Sequence, residues 1–233
     1  MYFDYGEKET EYLKSRDKLL GEVIEQLGHL EREIDPDLFS SVVHHIIGQQ
    51  ISTAAQRTIW GRLRELLGNV NADTICGCDS ERLQSVGMTF KKVEYIKDFA
   101  EKIKKGEFDI DSLEGKSDAE VIAELSALNG IGVWTAEMIM TFCMQRPDVL
   151  SYGDLAIHRG LRMLYHHRKV DKKLFEKYRR RYSPYGTVAS LYLWAIAGGA
   201  VPGLKDLAPK KTAKAVRKPA GNDTHSRKKG EQT

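Results

Sequence analysis

Cysteine is scarce in this chain: three in 233 residues, at Cys76, Cys78 and Cys143. So small and odd a count argues against a disulfide framework and for a reducing compartment. Cys76 and Cys78 have no second pair to complete a tetrahedral site, so zinc is not expected. Long hydrophobic runs are missing as well. No stretch approaches the roughly 18 apolar residues that span a bilayer, so no membrane partner is expected. The N-terminal segment MYFDYGEKETEYLK is charged from the start, unlike a secretory signal. Period-two alternation is also lacking, and no sheet is predicted.

What the chain has is helix. Phe39, Val42, Val43, Ile46 and Ile47 recur at the spacing of one helical face. Leu13, Leu20, Val23, Ile24 and Leu27 form a similar stripe, as do Val93, Ile96, Phe99, Ala100 and Ile103, and Val188, Leu191, Tyr192, Ala195 and Ile196. A hydrophobic fraction of 41% and a charged fraction of 30% suit a soluble globular protein with a real core.

The net charge of +3 conceals a division. Residues 205–233 hold nine Lys/Arg against three Asp/Glu, a net of +6, which leaves the preceding 204 residues at −3. The stretch is almost free of large apolar residues after Leu207, so 205–233 reads as a disordered basic tail. Such a tail either grips nucleic acid nonspecifically or is simply solvated.

Between two of the helical patterns lies LNGIGVWTA, Leu128 to Ala136. Ser117 and Glu120 have the spacing of a capping box and open a helix through Val121, Ile122 and Leu125. Asn129-Gly130 ends it. A new stripe then runs Ile131, Trp134, Thr135, Met138, Ile139, Phe142. The unit, about 117–143, is therefore a helical hairpin whose second helix begins on bare backbone amides, a natural phosphate site. The alternative is a plain αα-hairpin whose glycines only make the turn.

LNGIGVWTAEMI resembles the helix-hairpin-helix motif. SYGDLAIHRGL, 151–161, resembles the segment that carries the catalytic aspartate of the helix-hairpin-helix (HhH-GPD) DNA glycosylase superfamily. HHIIGQQIS, 44–52, resembles its duplex-entering loop, and GMTFKKVEYIKDFA, 87–100, the helix that follows. These segments occur in family order across roughly 36–200, and within the superfamily they are most similar to the 3-methyladenine DNA glycosylase II type. Asn129 departs from the usual proline, a substitution that tight turns accept. The resemblance implies an all-α, two-lobed fold with the active site in the interlobe cleft. Residues 1–35 and 146–204 would build one lobe, the latter bringing the aspartate segment and the C-terminal helices. Residues 36–145 would build the other.

The resemblance makes Asp154 the catalytic carboxylate, stabilising positive charge on the sugar and orienting water. An aspartate just before Leu155-Ala156-Ile157 is also a favoured helix N-cap, and the two roles are compatible. Trp134 stands where strand-cleaving relatives carry a lysine nucleophile, so a monofunctional enzyme is expected, with an aromatic that stacks on a flipped base. Trp194 falls off its helix's apolar stripe and is either a second pocket wall or lobe filler. Gln49 and Gln50 would contact DNA, Gln50 filling the hole left by base flipping. Gly130, Gly132 and the amides near Val133 and Thr135 would hold a backbone phosphate. The carbonyls of Ser126, Leu128 and Ile131 would bind a monovalent cation, Na+ or K+.

No cofactor is required on this reading. No cysteine follows Cys143, so no iron–sulfur cluster is expected. The adjacent pairs His44-His45 and His166-His167 are set aside because helix neighbours do not share a face. Lys91-Lys92 and Arg179-Arg180-Arg181 are either phosphate contacts or solvated charge. The expected function is excision of alkylated purines from damaged double-stranded DNA in base excision repair, by a monomer in the cytoplasm or nucleoid, or the nucleus of a eukaryote. The alternatives are a glycosylase for oxidised or mismatched bases and a noncatalytic helix-hairpin-helix DNA-binding module.

Overall fold

The computed structural model describes residues 1–209, so that most of the expected tail, 210–233, lies outside the described residues. The described residues form twelve α-helices and no strand beyond one isolated bridge between Tyr2 and Glu33. In order these are α1 (Glu7–Arg16), α2 (Lys18–Leu27), α3 (Leu38–Gly48), α4 (Thr53–Leu67), α5 (Ala72–Gly77), α6 (Ser80–Ser85), α7 (Phe90–Lys104), α8 (Asp118–Ser126), α9 (Val133–Phe142), α10 (Leu155–Tyr165), α11 (Lys172–Tyr182) and α12 (Gly186–Ala197).

Local chemistry sets many of the boundaries. Asp17, Asp37, Ser52, Thr89, Ser117 and Asp171 each accept an amide hydrogen of the helix they open, relieving donors that have no partner inside the helix. Asp17 also corrects the sequence reading. The stripe from Leu13 to Leu27 is broken there, because its side chain caps a new helix through the Leu20 amide (3.0 Å).

Two apolar cores result. One joins Phe3, Leu13, Leu20 and Ile34 to Ile157, Leu161, Phe175, Tyr182 and Tyr192, so both ends of the described chain build one lobe. The other is made by the middle, with Val42, Ile46, Leu63, Ile75, Phe99, Leu125 and Ile139. In the terminal lobe α10 and α12 pack so closely that a Cβ on Gly160 would stand 2.4 Å from the Leu193 carbonyl oxygen. The chain crosses between lobes twice. The Asp35 amide donates to the Phe142 carbonyl at the first crossing (2.9 Å), and the Val149 amide donates to the Thr187 hydroxyl at the second (2.9 Å).

The tail boundary at Lys205 is too early. Asp206 forms a two-oxygen ion pair with Arg162 of α10 (2.7 Å at both contacts), so this segment is bound to the terminal lobe. The arginine run is not uniformly solvated either. Arg181 is bonded to the buried carboxylate of Asp17, which also accepts from the Tyr165 hydroxyl (2.7 Å).

Candidate active site

The site is built on α8, the turn after it, and α9. The Ser117–Glu120 capping box forms as the sequence implies. In the turn the Ile131 amide donates to the Leu128 carbonyl (3.1 Å), and Gly130 has a φ of +82°, a conformation that costs a side chain dearly. A Cβ there would also lie 2.3 Å from the Tyr95 ring. Gly132 is the N-cap of α9 and offers no side chain of its own. The amides of Val133, Trp134 and Thr135 therefore begin the helix without intrahelical partners, at its positive end. The Thr135 side chain itself is buried.

Asp154 sits at the N-cap of α10, only 6% exposed. Its Oδ1 accepts the amides of Ala156 (2.8 Å) and Ile157 (2.9 Å). Its Oδ2 accepts the indole N–H of Trp134 (3.0 Å). One oxygen thus caps the helix, and the other faces the tryptophan of the cleft. Trp134 is 45% exposed, and its anchored N–H edge fixes how the ring stands in the cleft. The aspartate loop packs against the tryptophan at Gly153, where a Cβ would make ordinary contact, 3.5 Å from the Trp134 Cβ.

Residues of both lobes line one cleft, among them Gln50, Trp134, Asp154 and Trp194. Trp194 is half-buried and stacks on Phe142 (centroids 5.4 Å apart, planes 30° apart), with the Arg32 guanidinium 4.8 Å from the centroid of the Phe142 ring. It is therefore both a cleft residue and part of the contact between lobes. Gln50 is exposed at the end of α3, with a φ of +58°. Gln49 turns inward instead, and its Nε2 donates to the Gly130 carbonyl (2.6 Å).

Several residues of the cleft region carry no sequence signal of their own. His44 and His45 both line it, contrary to the argument that set them aside. The cleft runs across the end of α3 and meets neighbouring positions. His44 packs on Trp60 (4.9 Å between centroids), His45 Nδ1 bonds the Ser41 carbonyl oxygen (2.8 Å), and burial lowers both imidazoles. Behind the tryptophan, the Ser151 hydroxyl donates to Glu137. Burial raises the Glu137 carboxyl above its ordinary range, the serine bond offsets part of this, and the charge of Asp154 adds to it. Lys92, read as a candidate phosphate contact, faces inward: its Nζ donates to the carbonyls of Ile47 (2.8 Å) and Gln49 (2.7 Å).

Known proteins share this fold and sequence pattern. A solved DNA-3-methyladenine glycosidase from Bacillus halodurans is 36% identical, superposes with a TM-score of 0.78, and is matched over 89% of this chain and 97% of its own. A Schizosaccharomyces pombe 3-methyladenine DNA glycosylase, solved in complex with abasic DNA, is 25% identical with a TM-score of 0.69, over 82% of this chain and 97% of that one. DNA-3-methyladenine glycosylase 1 of S. pombe is 29% identical over 161 residues, 67% of this chain and 71% of the relative. The family described as HhH-GPD superfamily base excision DNA repair protein matches residues 43–184, well over half of the sequence. The chain belongs to the HhH-GPD superfamily of base excision DNA repair proteins.

Proposed function

We propose that the protein is a monofunctional DNA glycosylase that hydrolyses the N-glycosidic bond of alkylated purines of the 3-methyladenine type in duplex DNA. The observation that carries this reading is the hydrogen bond between Trp134 and Asp154 at the mouth of the phosphate-binding hairpin. On this reading an aromatic face and a carboxylate stand together within reach of one extruded nucleotide. Relatives named for 3-methyladenine excision, including the one bound to abasic DNA, support the substrate class.

The amides at the start of α9 grip a phosphate, and the nucleotide swings out of the stack into the cleft. Trp134 and Trp194 take the base between aromatic surfaces, where a positively charged methylated purine gains a cation–π attraction. Such a base leaves readily. Asp154 stabilises the positive charge that develops on the sugar as the bond breaks and orients the water that adds to it. Among the described residues no lysine lines the cleft, so no side-chain amine is placed to attack the sugar.

The hairpin turn suits a monovalent cation on the carbonyls of Ser126, Leu128 and Ile131. The Ser126 hydroxyl is buried there without a partner, and the Leu128 carbonyl keeps a lone pair beyond its bond to the Ile131 amide. Such an ion would add positive charge beside the phosphate. The protein would act as a monomer on chromosomal DNA, in the nucleoid or the nucleus.

Incubation with methylated duplex DNA tests this reading. The expected result is free 3-methyladenine and an unbroken abasic strand that breaks only under alkali or heat. Release of 8-oxoguanine would favour the oxidised-base reading instead, and DNA binding without release of any base would leave a binding module. A covalent adduct trapped by borohydride would refute the monofunctional assignment.

A further inference from the structure

The loop that ends α3 is held from inside the protein. Lys92 of α7 places its ammonium under this loop and donates to the carbonyls of Ile47 and Gln49. These are acceptors that the end of a helix leaves without partners, and a cation at a helix C-terminus also complements its dipole. The lysine is partly desolvated, which lowers its pKa. The next link is Gln49, whose side-chain amide reaches the carbonyl of Gly130 in the hairpin, 81 residues further along. Gly130 in turn rests on the Tyr95 ring, one turn along α7 from Lys92. Gln50, between these fixed points and the open cleft, adopts the left-handed φ of +58°. A residue other than glycine stays in that region only where its surroundings fix it there.

We propose that Lys92 is a positioning residue for base extrusion. Through the Gln49 carbonyl it presets Gln50 in its left-handed conformation, and through the Gln49 side chain it joins the loop to the phosphate-gripping hairpin as one body. The proposal rests on reading Gln50 as the side chain that fills the vacated place in the duplex. Lys92 itself touches no DNA on this account, because its donors are directed at backbone oxygens within the lobe.

The test uses the full chain, an undamaged duplex, and the same duplex with a stable abasic-site analogue, titrated at several salt concentrations. Lys92→Met keeps the stem and removes the donors. It should weaken abasic-site binding about tenfold, the scale of a lost hydrogen bond to a charged group. Affinity for undamaged duplex should stay within about twofold, and the slope of log affinity against log salt should not change. A phosphate contact would weaken both DNAs and reduce the slope by about one, and that result would overturn the proposal.

In a Gln50→Gly background the same lysine change should cost less than about twofold, because glycine needs no support and no side chain remains to be positioned. An equal cost in both backgrounds would refute the coupling. Should Lys92→Met fail to fold, Lys92→Arg tests the same donors with a displaced charge, and Gln49→Leu tests the second link by cutting the bond to Gly130. The loss in either variant should be confined to abasic DNA, and equal loss on both DNAs would overturn the proposal. The abasic analogue carries no base, so these results do not depend on which lesion is excised. A Gln50→Ala variant without selective loss on abasic DNA would remove the plug and the proposal together, while leaving base release unaffected as a test of function.

Discussion

At Asp154 the backbone uses one carboxylate oxygen and an indole the other. Asp154→Asn keeps an oxygen for the cap but loses the negative charge. Excision should fall by about 10²-fold or more, with binding to abasic-site DNA changed little. Single-turnover base release beside a binding titration checks this, and activity within about twofold of the native protein would refute the assignment.

Trp134 has two separable parts. Trp134→Ala removes the stacking face, worth ~1–3 kcal/mol per base, so excision should drop between about fivefold and about 150-fold. Trp134→Phe keeps a face and removes only the N–H, so the loss should be nearer tenfold, the scale of one hydrogen bond to a carboxylate. Equal rates for the phenylalanine variant and the native protein would mean that the indole N–H does not help to orient Asp154. The side-chain type and the helix that follows already make Asp154 legible as a cap. Its contact with Trp134 is not legible in this way, because it depends on how a loop closes against another helix. The inward turn of Gln49 is hidden for the same reason.

Among the elements, the hairpin separates two uses of glycine. Gly130 is fixed by backbone conformation and by the Tyr95 ring, so Gly130→Ala should destabilise the fold by about 1–3 kcal/mol. Gly132 has an ordinary φ of −100° and open space where a Cβ would go. Gly132→Ala should leave the thermal midpoint near the native value and weaken duplex binding, since its methyl group would stand where a phosphate approaches. Thermal melts and duplex titrations of the two variants should therefore give opposite patterns. The helical stripes of α3, α7 and α12 were readable because the period of apolar residues directly reflects one buried face. The break at Asp17 was harder to see, since the hydrophobic pattern continues past it while the capping bond stops the helix.

For the whole molecule, an ion pair at residue 206 precedes the basic end of the sequence. The Arg162 guanidinium holds the Asp206 carboxyl at about 2, below the ordinary aspartate range. A carboxyl with a depressed folded-state pKa stabilises fully above its unfolded value and loses that contribution as pH falls through the folded one. The ion pair should therefore support the fold above about pH 4 and fade toward pH 2. Acid unfolding of Asp206→Asn should be flatter over that interval, and an unchanged profile would show that the pair contributes nothing. Truncation after Pro209 keeps the pair and removes a net +6 from residues 210–233. It should leave the melt unchanged and flatten the salt dependence of duplex binding, whereas truncation after Leu204 should also lower the melting temperature.

The terminal lobe is assembled from distant parts of the sequence. Tyr5 reaches Tyr192 across 187 positions, and Asp17 reaches Arg181 across 164. On a ribosome, α1 and α2 emerge before the rest of their lobe and must wait, with Leu13 and Leu20 uncovered, while the block α3–α9 is made and packs. Only when α10 to α12 follow can the first two helices bury their apolar faces. The Asp154–Trp134 contact joins a late segment to that early block. On the proposed function, a nascent chain would display its hairpin before its carboxylate, able to hold DNA before it can cut a base from it.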